Sequence, residues 1–379
     1  MSCATHTARE IAQQPALWSQ VAQLVSGDQR AWAFLEPLIH DPSMRVVLTG
    51  AGTSSYIGEC LAPTLMRRLP GRVQAIATTD LVASPATWFE SATRTLLVSF
   101  ARSGNSPESV AAVDLAERLV SRCAHLIVTC NGEGELYRRS ASLRSACALL
   151  LPPAANDQSF AMTSSFSGML LAAATALGAM PAAPERMDTL GGLAAQVLDT
   201  WVPLMQELAG TGFERVVYLG SNELKALARE SSLKMLELTD GQVVSVADSP
   251  LGFRHGPKTI VNGRTLIVMF LSNDAHTRRY ELDLLCELRG DGVAGRIVAL
   301  SNRADLPQHP DNRLLVPREA GAADPLGDLD LCLPYVVFAQ SLAMLRSLSL
   351  GLSPDLPNAA GTVNRVVQGV TIHAFGSSR

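Results

Sequence analysis

The sequence matches itself at an offset of 170 positions. Val46, Val47 and Gly50 have counterparts in Val216, Val217 and Gly220, and Thr95, Leu96 and Val98 in Thr265, Leu266 and Val268. Ile127 and Val128 match Ile297 and Val298, while Val73 and Ala77 match Val243 and Ala247. The matches fall in or beside short runs rich in apolar and β-branched residues, at 45–49, 75–78, 95–100 and 125–130, then 215–219, 243–247, 265–271 and 296–300. Such runs suit strands buried on both faces of a parallel sheet. The longer intervals between them fit helical crossovers. One offset serving four successive strands predicts a duplicated α/β module and two three-layer αβα sandwiches.

The rest of the chain fits around that duplication. Residues 1–40 read as a helical arm: Trp18, Val21, Ala22 and Val25 share one helical face, and Trp32, Leu35, Leu38 and Ile39 another, before Asp41-Pro42 stops the second helix. The first module then spans 41–183, a helical linker 184–212, the second module 213–350, and a Pro-, Gly- and Asn-rich tail 351–379. The longest apolar stretch, 166–180, is interrupted by Ser167, Gly168 and Thr175 and falls short of the ~20 residues of a membrane span, so it reads as a buried helix.

Composition narrows the partners. Charged residues make up 17% of the chain against 47% hydrophobic, which leaves much surface for packing or a subunit interface. A net charge of −4 argues against a nucleic-acid surface. The N-terminus is polar and lacks an apolar signal core. Seven cysteines form neither a disulfide framework nor a metal knuckle. A cytoplasmic protein with no membrane or nucleic-acid partner is expected.

Two strand ends in the first module carry hydroxyl-rich loops. The run at 95–100 is followed by Ala101-Arg102-Ser103-Gly104-Asn105-Ser106-Pro107-Glu108, then by Val110, Val113, Ala116, Leu119 and Val120 at helical spacing. Ser106 suits the N-cap, Pro107 the first helical position and Glu108 the first turn. The first strand leads likewise through Gly50-Ala51-Gly52-Thr53-Ser54-Ser55 into a helix marked by Ile57, Leu61 and Leu65. Free N–H groups at two helix starts favour an anion, at the strand ends where open α/β sheets bind ligands. The plainer alternative is that these residues only make turns and caps. Neither loop is a Walker A or a complete GxGxxG, so no nucleotide cofactor is expected. The second module has Gly220-Ser221-Asn222-Glu223 and Leu271-Ser272-Asn273-Asp274 at the corresponding places. Hydroxyls are lost and acids gained, so only the first module is expected to hold phosphate.

The acid–base candidates lie in the second module. Glu230, Lys234 and Glu237 fall at i, i+4 and i+7 on one helical face, either a functional group or a solvated salt-bridge stripe. After it comes Ser249-Pro250-Leu251-Gly252-Phe253-Arg254-His255-Gly256-Pro257-Lys258, which sets a histidine beside an arginine and before a Gly-Pro turn. No two histidines stand at i,i+3 or i,i+4 and no carboxylate–histidine cluster has ligand spacing, so no metal is expected.

Together these residues resemble the SIS (sugar isomerase) superfamily over roughly 40–350, with Gly52-Thr53-Ser54 and Ser103-Gly104-Asn105-Ser106 as its phosphate segments. The resemblance implies a mainly parallel five-stranded sheet in each module. Leu233-Lys234-Met235-Leu236-Glu237 with Arg254-His255-Gly256-Pro257 resembles the isomerase half of glucosamine-6-phosphate synthase. That likeness implies that Glu237 moves a proton between C2 and C1, that Lys234 supports the open-chain intermediate, and that His255, given by a neighbouring subunit, opens the ring. The segments 249–258 and 364–370 look more narrowly like the AgaS group of galactosamine-6-phosphate deaminase/isomerases, earlier labelled tagatose-6-phosphate ketose/aldose isomerases. There is no room before residue 45 for a glutaminase domain, Cys3 is not its nucleophile, and Asn364 and Arg365 stand in a different tail. Release of ammonia is therefore the expected direction.

The resemblance thus implies deamination of an amino sugar 6-phosphate, most simply D-galactosamine 6-phosphate to D-tagatose 6-phosphate. The phosphate ligands would be Thr53, Ser54, Ser103 and Ser106, with Gly52, Gly104 and Asn105 shaping their loops. Arg102, Arg254, Asn364 and Arg365 are further substrate contacts to expect, in a homodimer or larger homo-oligomer with shared sites. Two alternatives remain, an aldose–ketose isomerase of hexose 6-phosphates and a sugar-phosphate-sensing regulator without turnover.

Overall fold

A computed structural model describes residues 5–317, 325–367 and 369–376; Cys3 and Gln368 lie outside them. The chain forms two compact units. The first-sheet unit comprises 17–157, 164–182 and 361–379, and the second-sheet unit 1–16, 158–163 and 183–360.

The first sheet contains β1 (Arg45–Thr49), β2 (Arg72–Ala75), β3 (Thr95–Ala101), β4 (Cys123–Thr129) and β5 (Ala146–Leu150), in the order β2-β1-β3-β4-β5. Every pairing is parallel. β1 and β3 are buried along their whole length, which is why they read as unbroken apolar runs. Helices Thr78–Ala83 and Pro107–Leu119 cover one face, where Leu81, Ala112, Val113 and Ala116 pack on Val47, Leu97 and Ile127. Helix Thr53–Arg68 packs on β1, β2 and β3 and against helix Ser164–Ala176. That last helix is almost wholly buried, as the apolar stretch at 166–180 suggests. The carboxylate of Asp157 caps it, accepting from the N–H groups of Ser164 (3.1 Å) and Ser165 (2.9 Å) and from both hydroxyls (2.5 Å each).

The second sheet repeats the plan with β6 (Arg215–Leu219), β7 (Val244–Asp248), β8 (Thr265–Phe270), β9 (Arg296–Ser301) and β10 (Asn312–Leu314), ordered β10-β9-β8-β6-β7 and wholly parallel. On one face Val217, Ile267, Met269 and Ile297 meet Leu284, Leu285 and Leu288 of helix Ala275–Asp291. On the other, Tyr218, Phe270 and Tyr335 stack with centroids 6.0 and 5.6 Å apart. Tyr335 belongs to helix Asp328–Ser349, against which helix Glu223–Leu238 packs. Asp328–Ser349 is long and apolar enough to cross a membrane by composition, but 83% of its apolar window is buried in this unit. Asp328, Asp330, Pro334 and Gln340 interrupt its apolar run in the sequence, so it stands out less there than 166–180 does. Residues 184–210 form helices Pro184–Thr200 and Val202–Gly210, the former tied to Asp328–Ser349 by the buried pair Arg186–Asp330 at 2.8 Å. Helix His6–Ala12 is capped by Asp355, which accepts from the N–H of Thr7 at 2.8 Å.

Strand register corrects the single offset. Arg45 pairs with Thr95 and Arg215 with Thr265, so 170 holds for β1/β6 and β3/β8. Val46 pairs with Val73, whereas Val216 pairs with Ser245. Leu97 pairs with His125, whereas Ile267 pairs with Ile297. In β2/β7 and β4/β9 the true equivalents are therefore 172 apart. A two-residue slip keeps each side chain on its face, so apolar identity survives it and the sequence match looked uniform. The first edge strand is also displaced, at Arg72–Ala75 rather than 75–78, because Arg72 and Gln74 dilute its apolar signal.

The duplicates differ at their strand ends. In the second sheet the Ser272 N–H donates to Glu281 at 2.7 Å, the Asn273 N–H to Asp328 at 2.7 Å, and the Ser272 hydroxyl to Asp328 at 2.5 Å. The protein's own carboxylates thus occupy the amides of this loop. Burial pushes Glu281 up to about 7 from its ordinary 4.5 and raises Asp328 as well. The folded chain then binds more protons than the unfolded chain from about pH 4.5 to 7, so its unfolding free energy falls as pH rises through that window. Denaturation at several pH values should show this slope reduced in Glu281→Gln; an unchanged slope would clear Glu281 of the effect.

Candidate active site

In the first sheet the chain turns to opposite sides after β1 and after β3, which makes their shared C-terminal edge the switch point where open α/β sheets bind ligands. Both hydroxyl-rich loops lie there. Gly50 allows the first one: a Cβ on it would lie 2.5 Å from the Ser54 backbone. Gly52 is the N-cap of helix Thr53–Arg68 with φ +56°, a conformation that suits glycine. Thr53, Ser54 and Ser55 are buried in the first turn. Ser54 and Ser55 donate their N–H groups to the Ala51 and Gly52 carbonyls at 3.1 and 2.9 Å.

The second loop runs from β3 into helix Pro107–Leu119, with Ser106 at the N-cap and Pro107 at the first helical position. The Ser106 side chain makes no capping hydrogen bond. Among the described residues the N–H groups of Ser103, Gly104 and Ser106 also have no hydrogen-bond partner. Asn105 is exposed and Ser103 and Ser106 are half-buried. Unpaired N–H groups, reachable hydroxyls and the positive end of a helix form a cradle for a dianion.

The tail, 361–376, belongs to the same unit. Arg102, buried in the loop, donates to the Arg365 carbonyl at 2.7 Å. The Arg365 guanidinium in turn donates to the Asp157 carbonyl. Farther along, Arg118 holds the Phe375 carbonyl at 2.9 Å and lies over its ring at 5.8 Å. So Arg102 and Arg365 are joined to one another and the tail begins beside the loop. Asn364 is exposed.

In the second-sheet unit, helix Glu223–Leu238 bears the acid–base candidates. The solvated-stripe alternative fails on burial. Glu230 and Lys234 have no side-chain exposure, and Glu237 keeps only 24%. Lys234 Nζ lies 3.6 Å from Glu230 and is hydrogen-bonded to Glu237. A buried ammonium costs much desolvation unless carboxylates surround it, and Glu230 and Glu237 meet that need one turn to either side. Glu237, partly open, is the member able to meet a ligand. Spacing puts Glu230 on this face, and only its burial beside Lys234 makes it a counter-ion.

His255 stands elsewhere. Ser249 caps the short helix Pro250–Phe253, accepting from the Gly252 N–H at 3.1 Å, and Phe253 anchors it in the core. Arg254 pairs with Glu287 at 2.8 Å, and Lys258 pairs with Glu287 and with Asp291 at 2.6 Å. Arg254 is thus paired with helix Ala275–Asp291. His255 itself is exposed. Phe253, Ile260 and Val261 pack on the sheet face covered by Ala275–Asp291, while Glu223–Leu238 packs with Asp328–Ser349, which covers the other face. Within one chain the sheet separates His255 from Glu237. Among the described residues no cluster of histidine, cysteine and carboxylates has the form of a metal site.

Burial of the ion pair makes a measurable statement. Lys234→Met removes the cation between the two carboxylates and should cost about 3–5 kcal/mol, whereas Lys234→Met with Glu230→Leu should recover much of it. Denaturant unfolding decides the matter. A single variant as stable as the parent would mean that the helix face opens to water.

No family model matches the chain. It is 43% identical over 373 residues, covering 97% of this chain and 92% of the relative, to a Shewanella protein named D-galactosamine-6-phosphate deaminase AgaS. The crystal structure of tagatose-6-phosphate ketose/aldose isomerase from Escherichia coli matches at TM-score 0.88 and 37% identity, covering 98% of each chain. The C-terminal domain of glucosamine-fructose-6-phosphate aminotransferase from Francisella tularensis shares the fold, with TM-score 0.74 at 16% identity over 93% of this chain and 98% of that one. With such identity sustained over nearly the full length of both chains, this chain belongs to the AgaS family of the SIS superfamily.

Proposed function

We propose that this chain converts D-galactosamine 6-phosphate and water to D-tagatose 6-phosphate and ammonia. The observation that carries the reading is the buried Lys234, which holds a partly open Glu237, in a chain whose relatives are named for this deamination. The phosphate is assigned to the loops of the first-sheet unit, with Thr53, Ser54, Ser103 and Ser106 as ligands and Gly52, Gly104 and Asn105 shaping the turns. Arg102 and Arg365 support that loop and the tail; Asn364, exposed on the tail, is left as the direct contact.

Proton transfer is assigned to the second-sheet unit. With the ring open, Glu237 removes the proton from C2, and the electron pair forms an enolamine across C1 and C2. Lys234 stabilises the charge that develops on the C1 oxygen. Glu237 returns the proton to C1, leaving an imine at C2. Water adds to that imine and ammonia departs, which gives the ketose. One carboxylate serves both transfers because proton and base stay on the same face of the planar intermediate.

Ring opening is assigned to His255. The sheet between His255 and Glu237 supports the reading that the histidine acts on the substrate of a second copy, so the protein works as a homodimer or larger homo-oligomer. Six described cysteines are free, four of them buried, which supports a reducing, cytoplasmic setting.

The purified protein should release ammonia from galactosamine 6-phosphate and not from glucosamine 6-phosphate. Glu237→Gln should lower kcat by roughly 10²–10⁴-fold with little change in substrate affinity. Ketose formed from galactose 6-phosphate without ammonia from either amino sugar would instead support the aldose–ketose reading, which the name of the Escherichia coli relative favours. Tight binding without turnover would leave only a sensor.

A further inference from the structure

The phosphate loop is braced by a second loop to which the proposed function gives no part. Thr129 donates its hydroxyl to the Ala101 carbonyl at 2.6 Å, and Asn131 donates its side-chain N–H to the Ser103 carbonyl at 2.9 Å. The Leu136 N–H reaches the Gly104 carbonyl at 3.0 Å, and the Glu135 N–H reaches Asn105 Oδ1 at 2.9 Å. Two glycines let the loops touch. Gly104 has φ +68°, and a Cβ on Gly134 would lie 2.5 Å from the Ser103 oxygen.

Asn131 is itself held in one orientation. Its Oδ1 accepts from the Glu133 N–H at 3.0 Å, so its amide nitrogen is the end left for Ser103. The direction of the braced carbonyls then matters. In a trans peptide the C=O of one residue and the N–H of the next point oppositely. A Ser103 carbonyl fixed on Asn131 therefore turns the Gly104 N–H away from the brace, and that N–H has no protein partner. A free loop of Ser, Gly and Asn samples many conformations, only a few of which present convergent donors.

We propose that Asn131 is a positioning residue for the substrate phosphate: by fixing the Ser103 carbonyl it aims the loop's N–H groups at the phosphate oxygens. The proposal rests on the assignment of phosphate to this loop and adds the device that organises it. A residue needed for stability alone would alter melting and every ligand alike. Asn131 should instead alter only ligands that carry phosphate.

The test compares the full chain with Asn131→Ala, by calorimetric titration with inorganic phosphate, galactosamine 6-phosphate and unphosphorylated galactosamine. The variant should bind both phosphate compounds about 10-fold more weakly, the effect of losing one hydrogen bond that orients the donors. Its response to galactosamine should stay as in the parent, its melting temperature should fall by no more than a few degrees, and KM should rise with kcat little changed. If Asn131→Ala does not fold, Asn131→Ser, which also removes the Nδ2 donor to Ser103, carries the same comparison. Parental phosphate affinity in a folded variant would overturn the proposal, as would a parent that binds no phosphate. The titrations need no turnover. A parent that binds both phosphates yet releases no ammonia would end the deaminase reading and leave the role of Asn131 standing.

Discussion

A lysine without side-chain exposure is tolerable only where carboxylates meet it, and Lys234 has Glu230 behind it and Glu237 ahead of it. Much of the second-sheet unit serves that arrangement. Helix Asp328–Ser349 seals one flank of the helix that carries the triad, and the stacked rings of Tyr218, Phe270 and Tyr335 hold that helix on the sheet. The outcome is a carboxylate at the boundary between core and solvent, beside a fixed cation. On the proposed reading, that is what a base needs if it must take a proton from one carbon and give it back to the next.

On the proposed reading, duplication explains the division of labour. Each sheet has its switch point between its first and third strands, and each offers loop amides there. The first sheet leaves amides of Ser103, Gly104 and Ser106 unpaired. The second satisfies those of Ser272 and Asn273 with Glu281 and Asp328. An external phosphate at the second edge would have to displace two carboxylates, so the change from Ser and Thr to Asn, Asp and Glu reads as one copy retaining the anion cradle and the other filling it from within.

Much of this was legible in the residues. β1, β3, β6 and β8 are buried on both faces and announced themselves as apolar runs, while β5 and β10 did not. β5 is half-exposed, and β10 is a three-residue edge. The two-residue slips in β2/β7 and β4/β9 were hidden because they preserve facing. At the site, Ser106-Pro107-Glu108 signalled a helix start through local chemistry alone. The burial of Glu230 and Lys234 could not be read from i,i+4 spacing, since a solvated stripe has the same spacing; it depends on helix Asp328–Ser349, about a hundred residues later in the chain. Asn131 was missed for a similar reason. Its partner Ser103 is remote in sequence, and only the parallel pairing of β3 with β4 brings the loops after them together.

The arrangement has one demanding consequence. Glu237 and His255 belong to segments that pack on opposite faces of the second sheet, and on the proposed reading a site that uses both draws them from different copies of the chain. The direct measurement is subunit complementation. Glu237→Gln and His255→Ala, each inactive or nearly so alone, are unfolded together, refolded as a mixture and assayed for ammonia. The account predicts that activity returns in the mixture, because mixed assemblies contain sites with an intact glutamate from one copy and an intact histidine from another. A mixture that forms mixed assemblies yet stays as inactive as its parts would contradict it.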